Sequence, residues 1–290
     1  MDHFEGKAHA KINLSLDVVG RLENGYHQVR MIMQTLELCD ELSFERTDGE
    51  ILITCDGAEL SLGEDNLIYR AIALMQREYG IKGGARVHLK KRIPIAAGMA
   101  GGSADAALTL KAMNRLYELG LTQERLRELG VRLGADVPYC IMGGSALSEG
   151  IGEILTRIAP MPECTILLAK PEEGVSTKYV YETLDSREIP VHPDVDGMRR
   201  AMEDGDVRAM AAKLGNVLET VTMEKLSVIG RIKELMRSGG ALGSLMSGSG
   251  PTVFGLYEDR AKAEADAERI LEGKLASGVF VTKPWNGEEA

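Results

Sequence analysis

The sequence predicts an α+β protein built as two domains. Three observations carry that expectation. The chain has 290 residues, more than one hydrophobic core usually organises. Its first half mixes apolar alternation at period 2 with helical apolar stripes. Its second half, past Pro160 and Pro162, reads strand, helices, strand, strand, helix, strand, the order of a ferredoxin-like domain with an enlarged first helical connection. The boundary is placed in Ala159-Pro160-Met161-Pro162, giving domains of 1–158 and 159–290.

Over residues 7–18 Ala8, Ala10, Ile12, Leu14, Leu16 and Val18 alternate with Lys7, His9, Lys11, Asn13, Ser15 and Asp17. This predicts a strand with one buried face, and Lys11 and Asn13 share the other. A polar break over 20–25 precedes Tyr26-His27, and residues 29–38, 42–45, 51–54 and 86–89 predict further strands. Between the last two lies a helix with Asp65 as N-cap, a stripe of Leu67, Ile68, Ala71, Leu74 and Met75, and Gly80 as its stop. A glycine-rich loop leads into a second helix that ends at Gly120, and a third, capped by Thr122, covers 123–133. Pro138 disfavours helical geometry before it, so 139–142 reads as a short strand. In the second half the strands are 165–169, 242–246, 252–256 and 279–282, with helices over 194–237 and 260–271. The end, 287–290, is expected to fray.

Composition excludes several classes. With 44% hydrophobic and 27% charged residues the chain reads as globular. No apolar run approaches the roughly 20 residues a membrane helix needs. The first seven residues show neither an apolar core nor a cleavage pattern, so a cytoplasmic protein without a secretory signal is expected. Cys39, Cys55, Cys140 and Cys164 form no CxxC pair, which fits small reduced residues and not a disulfide frame or zinc site. A net charge of −10 argues against general nucleic-acid binding. Lys90-Lys91-Arg92 is the densest basic cluster, read either as a solvated strand end or as a phosphate contact.

The stretch Pro94-Ile95-Ala96-Ala97-Gly98-Met99-Ala100-Gly101-Gly102-Ser103-Ala104-Asp105-Ala106-Ala107 is poor in side chains and leads into a helix. Such a loop lets backbone N–H groups reach a ligand, and the helix start adds unpaired donors and a positive dipole end. The plainer alternative is a tight turn with Ser103 as N-cap. GxxxxGK[ST], GxGxxG after a strand, HExxH and GxSxG are all absent, so any phosphate seat here has another design. A second cluster, Ser247-Gly248-Ser249-Gly250-Pro251-Thr252, lies between two strands. Asp136 sits after a helix, where the dipole disfavours a carboxylate, which suggests a specific task.

The strand with Lys11 and Asn13, the loop from Pro94 and the loop from Ser247 stand in the order of the three motifs of the GHMP kinases (galactokinase, homoserine, mevalonate and phosphomevalonate kinases), and the chain resembles that family over about residues 7 to 283. Ala10-Lys11-Ile12-Asn13-Leu14, Gly25-Tyr26-His27, Gly134-Ala135-Asp136-Val137-Pro138 and Met246 to Thr252 are similar to the branch that acts on a cytidyl-diphospho methylerythritol. Met99, Ala100 and Ala104 depart from the residues more frequent in the family, and Ala104 lacks a hydroxyl.

The resemblance implies a ribosomal-protein-S5-like α/β N-terminal domain and a ferredoxin-like C-terminal domain. It implies transfer of the ATP γ-phosphoryl to a substrate hydroxyl, with Asp136 as the base and Lys11 beside it stabilising charge. ATP would be bound by Pro94, Ile95, Ala96, Ala97, Gly98, Met99, Ala100, Gly101, Gly102, Ser103 and Ala104, together with Mg²⁺ whose protein ligands are unknown. Asn13, Tyr26, His27, Tyr181 and Gly248 would bind the substrate, with Tyr179 the alternative to Tyr181. A histidine offers both a donor and an acceptor to a pyrimidine edge, and tyrosine rings stack on its faces. The expected partner is this small molecule, with no nucleic acid and no membrane, in a monomer or weak homodimer.

Overall fold

The computed structural model describes residues 2–23, 25–189 and 191–287. In chain order the elements are β1 (His3–Arg21), β2 (His27–Thr47), β3 (Ile51–Asp56), α1 (Leu67–Tyr79), β4 (Gly84–Lys90), α2 (Gly101–Leu116), α3 (Gln123–Val131), α4 (Val137–Met142), β5 (Ser145–Glu149) and β6 (Ile154–Arg157). They continue with β7 (Thr165–Lys170), α5 (Thr177–Leu184), α6 (Val195–Glu203), α7 (Val207–Ala212), β8 (Gly215–Asn216), α8 (Glu219–Lys225), α9 (Val228–Gly239), β9 (Gly243–Met246), β10 (Val253–Tyr257), α10 (Arg260–Glu272) and β11 (Gly278–Thr282). The fraying expected at the C-terminal end falls, from residue 288 onward, outside the described residues.

The contacts divide the chain into two compact units. The first comprises the segments ending at Ala10, Leu38–Ile95 and Ala100–Gly143; the second comprises Lys11–Glu37, Ala96–Met99 and the chain from Gly144 onward.

In the first unit β2 pairs antiparallel with β4 over Glu41–Thr47, and β4 pairs parallel with β3. Phe44, Val87, Leu89, Ile72, Met75, Leu110 and Met113 are fully buried in its core. Each such aliphatic or aromatic side chain contributes roughly 1.5–3 kcal/mol by leaving water. α1 is capped by Asn66, whose side chain accepts the Ile68 N–H at 2.8 Å, one residue later than the expected Asp65. Asp65 is engaged instead by the Ser61 hydroxyl. Gly80 ends α1 at φ 63°, as expected. Thr122 caps α3 as expected.

Two expectations are corrected here. The two strands predicted over 29–38 and 42–45 form one strand, β2. The residues between them continue the strand, and Asp40 among them is fully buried, its carboxylate accepting the backbone N–H groups of Arg92 and Ile93. The strand predicted at 139–142 is the helix α4, with Pro138 in its first turn. There the missing N–H costs nothing, because first-turn donors have no intrahelical partner.

In the second unit β7, β9, β10 and β11 form an antiparallel sheet in the order β11-β7-β10-β9. α9 packs on β9 and β10, and α10 on β7 and β11. This is the expected ferredoxin-like arrangement, with α5 to α8 and β8 filling the first connection. β1 pairs parallel with β8 at Ser15 and Leu16, and β2 pairs with β5 over Met31–Gln34. The β5–β6 hairpin was not foreseen; its strands are short and rich in polar residues. β1 also differs from expectation: from Ala10 to Val18 both of its faces are buried. Among the described residues no helix is long and apolar enough to cross a membrane.

Candidate active site

The second unit carries Lys11 and Asn13 on β1, only 4% and 1% exposed. A solvated strand face is therefore excluded for both. The Lys11 ammonium donates to Asn13 Oδ1 at 2.8 Å, and Asn13 Nδ2 reaches Met31 Sδ at 3.2 Å. The amide bond fixes where the end of the Lys11 side chain lies. The Lys11 N–H donates to the Met99 carbonyl at 3.1 Å, tying β1 to the glycine-rich stretch.

The same unit joins the two glycine clusters. Ser247 Oγ donates to the Gly98 carbonyl at 3.0 Å and accepts the Asn13 N–H at 3.3 Å. Gly98 adopts φ 73°, and a Cβ there would overlap the Ser247 carbonyl oxygen. Gly248, at φ 58°, lies where a Cβ would stand 3.5 Å from Asn13 Oδ1. Asn216, which the sequence reading passed over, holds this loop: its side-chain amide donates to the carbonyls of Met246 and Gly248, each at 2.8 Å. Glu219 accepts the Met246 N–H at 2.9 Å and pairs with the buried Lys233.

A second group in this unit contains the aromatic candidates. The rings of His27 and Tyr181 lie 4.7 Å apart at 30°. Tyr26 is 59% exposed. Tyr179 instead sits under the Lys225 ammonium, 4.5 Å from the ring centre, so Tyr181 is the tyrosine that accompanies His27. His27 Nε2 donates to Asp185 Oδ1 at 2.6 Å, and Arg21 pairs with the other Asp185 oxygen at 3.1 Å. Asp185 was missed because it is 158 residues from His27, and one acidic residue at a helix end gives no signal by itself.

In the first unit α2 begins at Gly101, with Ala100 before it at φ 56° and no side-chain cap. Ser103 is thus inside the first turn, and the reading of Ser103 as an N-cap fails. The leading N–H groups of α2 lack intrahelical partners and carry the positive dipole end. Ala100, like Ala96 at φ 51° in the second unit, holds a left-handed conformation that costs a residue with a Cβ about 1–2 kcal/mol. Both alanines therefore hold strained backbone. Gly134 lies close to Ser103, since a Cβ on it would stand 3.8 Å from Ser103 Oγ. Asp136, half-buried, is at the start of α4. This removes the expected dipole argument: the residue stands at the start of a helix and not only after one.

The basic cluster has neither of its expected roles in full. Lys90 and Arg92 are exposed and pair with Glu41 at 3.8 and 2.9 Å. Lys91 is buried, its ammonium 2.6 Å from Asp40 Oδ2 and 2.7 Å from Asp105 Oδ2. Burial pushes the Asp105 carboxyl up to about 7 against the pull of Lys91. Burial alone would depress the Lys91 ammonium, but the two carboxylates outweigh it and hold it above its ordinary value. None of the four cysteines is in a disulfide, and Cys39 is the buried one of them. Among the described residues no group of three or more His, Cys, Asp or Glu side chains could hold a metal ion.

Comparison with known proteins places this geometry. Residues 66–144 match the GHMP kinases N-terminal domain and residues 198–274 the GHMP kinases C-terminal domain. The chain is 50% identical over 284 residues to the 4-diphosphocytidyl-2-C-methyl-D-erythritol kinase of Lachnospira eligens, covering 98% of this chain and 99% of that one. It is 46% identical to the protein of the same name from Clostridium perfringens, over 97% and 98% of the two chains. A crystal structure of a 4-(cytidine 5'-diphospho)-2C-methyl-D-erythritol kinase superposes with a TM-score of 0.84 at 32% identity, covering 98% of this chain and all of that one.

Proposed function

The chain belongs to the GHMP kinases, and from that membership we propose that it transfers the γ-phosphoryl of ATP to the 2-hydroxyl of 4-(cytidine 5'-diphospho)-2-C-methyl-D-erythritol, in the non-mevalonate (methylerythritol phosphate) route to isoprenoids. Its fold is the two-domain α+β fold of that family. The near-full-length likeness to relatives named for this substrate carries the reading.

Phosphoryl transfer needs positioning, stabilisation of spread negative charge and a group to receive the hydroxyl proton. Asp136 receives that proton. The Lys11 ammonium, oriented by Asn13, stabilises the charge that develops on the attacking oxygen and the transferred group. Residues Pro94 to Ala104 supply backbone donors for the triphosphate, foremost Gly98, Gly101, Gly102 and Ser103. Their support is the left-handed Ala96 and Ala100, the glycine at Gly98 that admits no side chain and the uncapped start of α2. Tyr26, His27 and Tyr181 receive the cytosine, supported by the His27–Tyr181 ring contact. Gly248 lets the second glycine loop approach the substrate.

Mg²⁺ would neutralise and bridge phosphate oxygens. The halves 1–158 and 159–290 are proposed as the N- and C-terminal domains, supported by the separate matches at 66–144 and 198–274. A cytoplasmic monomer or weak homodimer completes the reading.

The test is a kinase assay with ATP and, in parallel, the cytidyl-diphospho polyol and mevalonate. Turnover of the first and not the second is expected. Phosphorylation of mevalonate alone contradicts the assignment.

A further inference from the structure

We propose that Asp40, Lys91 and Asp105 form a buried clamp that fixes the two ends of the ATP loop, making Lys91 and Asp105 positioning residues for nucleotide binding. The proposal rests on the reading of residues 94–104 as the ATP loop.

The clamp joins three elements of the first unit. Asp40, within β2, is fully buried. Its Oδ1 accepts the N–H groups of Arg92 at 2.6 Å and Ile93 at 2.8 Å, and its Oδ2 accepts the Lys91 ammonium at 2.6 Å. The same ammonium donates to Asp105 Oδ2, on α2, at 2.7 Å. Lys91 and Asp105 are each only 5% exposed in their side chains. Residues 92 and 93 immediately precede the loop and Asp105 immediately follows it. The clamp therefore sets the separation of the loop's ends. It also sets the first turn of α2 directly: a Cβ on Gly101 would stand 3.0 Å from Lys91 Nζ and 2.9 Å from Ile93 Cγ2.

Stability alone does not account for this arrangement. Two carboxyl groups share one ammonium out of water, and Asp105 Oδ1 is buried with no hydrogen-bond partner. A well-packed apolar set of the same volume serves folding as well or better than a buried ionic group. What an apolar set lacks is direction. Four short bonds at fixed angles, two from backbone N–H groups and two from the Lys91 ammonium, determine where the loop starts and where the α2 donors point, and a misplacement of about 1 Å in such donors is costly.

The test separates the two roles. In Lys91→Met/Asp105→Leu the ammonium and one of its two carboxyl partners are replaced by apolar groups of similar size, while Asp40 keeps the N–H groups of Arg92 and Ile93. The proposal expects a folded chain with an ATP KM raised about tenfold or more and a KM for the cytidyl-diphospho polyol within about twofold of the native value. Asp105→Asn keeps the side chain's shape and provides a milder version should the double variant not fold; here a rise in ATP KM of about threefold is expected. An unchanged ATP KM in either folded variant, or an equal rise in both KM values, overturns the clamp. Gly98→Ala, measured alongside, identifies what has failed. If it raises the ATP KM while the clamp variants do not, only the clamp is wrong; if it too has no effect, the loop reading is wrong and the clamp falls with it.

Discussion

Replacing Gly98 by alanine is the substitution whose cost can be worked out most fully. Gly98 has φ 73°, a region that penalises a residue with a Cβ by about 1–2 kcal/mol. The added Cβ would overlap the Ser247 carbonyl oxygen and stand 3.1 Å from that of Gly250. Both obstacles are backbone atoms, so no side chain can swing aside. Relief requires the two glycine loops to part by about 1 Å to reach ordinary contact near 3.5 Å. Overpacking of this kind adds roughly 1–3 kcal/mol, for a total of about 2–5 kcal/mol. The displacement also strains the Ser247 Oγ bond to the Gly98 carbonyl and, one residue on, the Lys11 N–H bond to Met99. Urea denaturation and steady-state kinetics with ATP varied are the assays. The expected result is lost stability together with a raised ATP KM. A variant as stable as the native chain with an unchanged ATP KM refutes both the packing argument and the role of the loop.

Three further outcomes follow from the structure. His27→Ala should raise the KM for the cytidyl-diphospho polyol more than it lowers kcat, because the residue supplies binding common to ground and transition states; steady-state kinetics showing neither effect make it structural. Tyr257→Phe removes the hydroxyl that donates to buried Asp266 at 2.9 Å, and should cost about 1–3 kcal/mol in denaturant unfolding while leaving turnover intact; an unchanged midpoint contradicts it. Asp105 keeps its proton in the folded chain up to about pH 7, against 3.8 for a free carboxyl. The folded state thus binds the extra proton in that window, and the stability this group contributes is full below 3.8 and lost as the pH rises through about 7. Asp105→Asn should therefore gain stability relative to the native chain as pH rises across the window, by at most about 1.4 kcal/mol per pH unit; urea midpoints whose difference is constant with pH contradict this.

Much of the fold was legible in the sequence because local signals agreed with the tertiary outcome. The stop at Gly80, the Thr122 cap and the order of strands and helices after Pro162 each rest on a residue's own backbone preference or on periodicity. The failures share a different cause. β2 was read as two strands, and the partners that let a charged Asp40 be buried within one, the N–H groups of Arg92 and Ile93, are 52 and 53 residues away. Pro138 looked like a helix terminator because nothing local says that a new helix starts one residue earlier. Lys91 looked like a surface or phosphate-facing lysine because Asp105 becomes its neighbour only when α2 folds back. In the candidate site Lys11, Asn13, His27 and the glycine loops were marked by motif, whereas Asp185 and Asn216, which orient them, act through contacts that chain order does not reveal. Between Tyr179 and Tyr181 chain order does not choose; in the structure Tyr181 lies against the His27 ring and Tyr179 under the Lys225 ammonium.

The central claim is that this chain moves a phosphoryl group onto a hydroxyl whose proton Asp136 receives. Asp136→Asn tests it most directly, with kcat measured at saturating ATP and cytidyl-diphospho methylerythritol and nucleotide affinity measured by calorimetry. A base of this kind contributes about 10²–10⁴ in rate, so the account predicts a fall in kcat of that size with ATP affinity nearly unchanged. A variant that turns over at close to the native rate contradicts it.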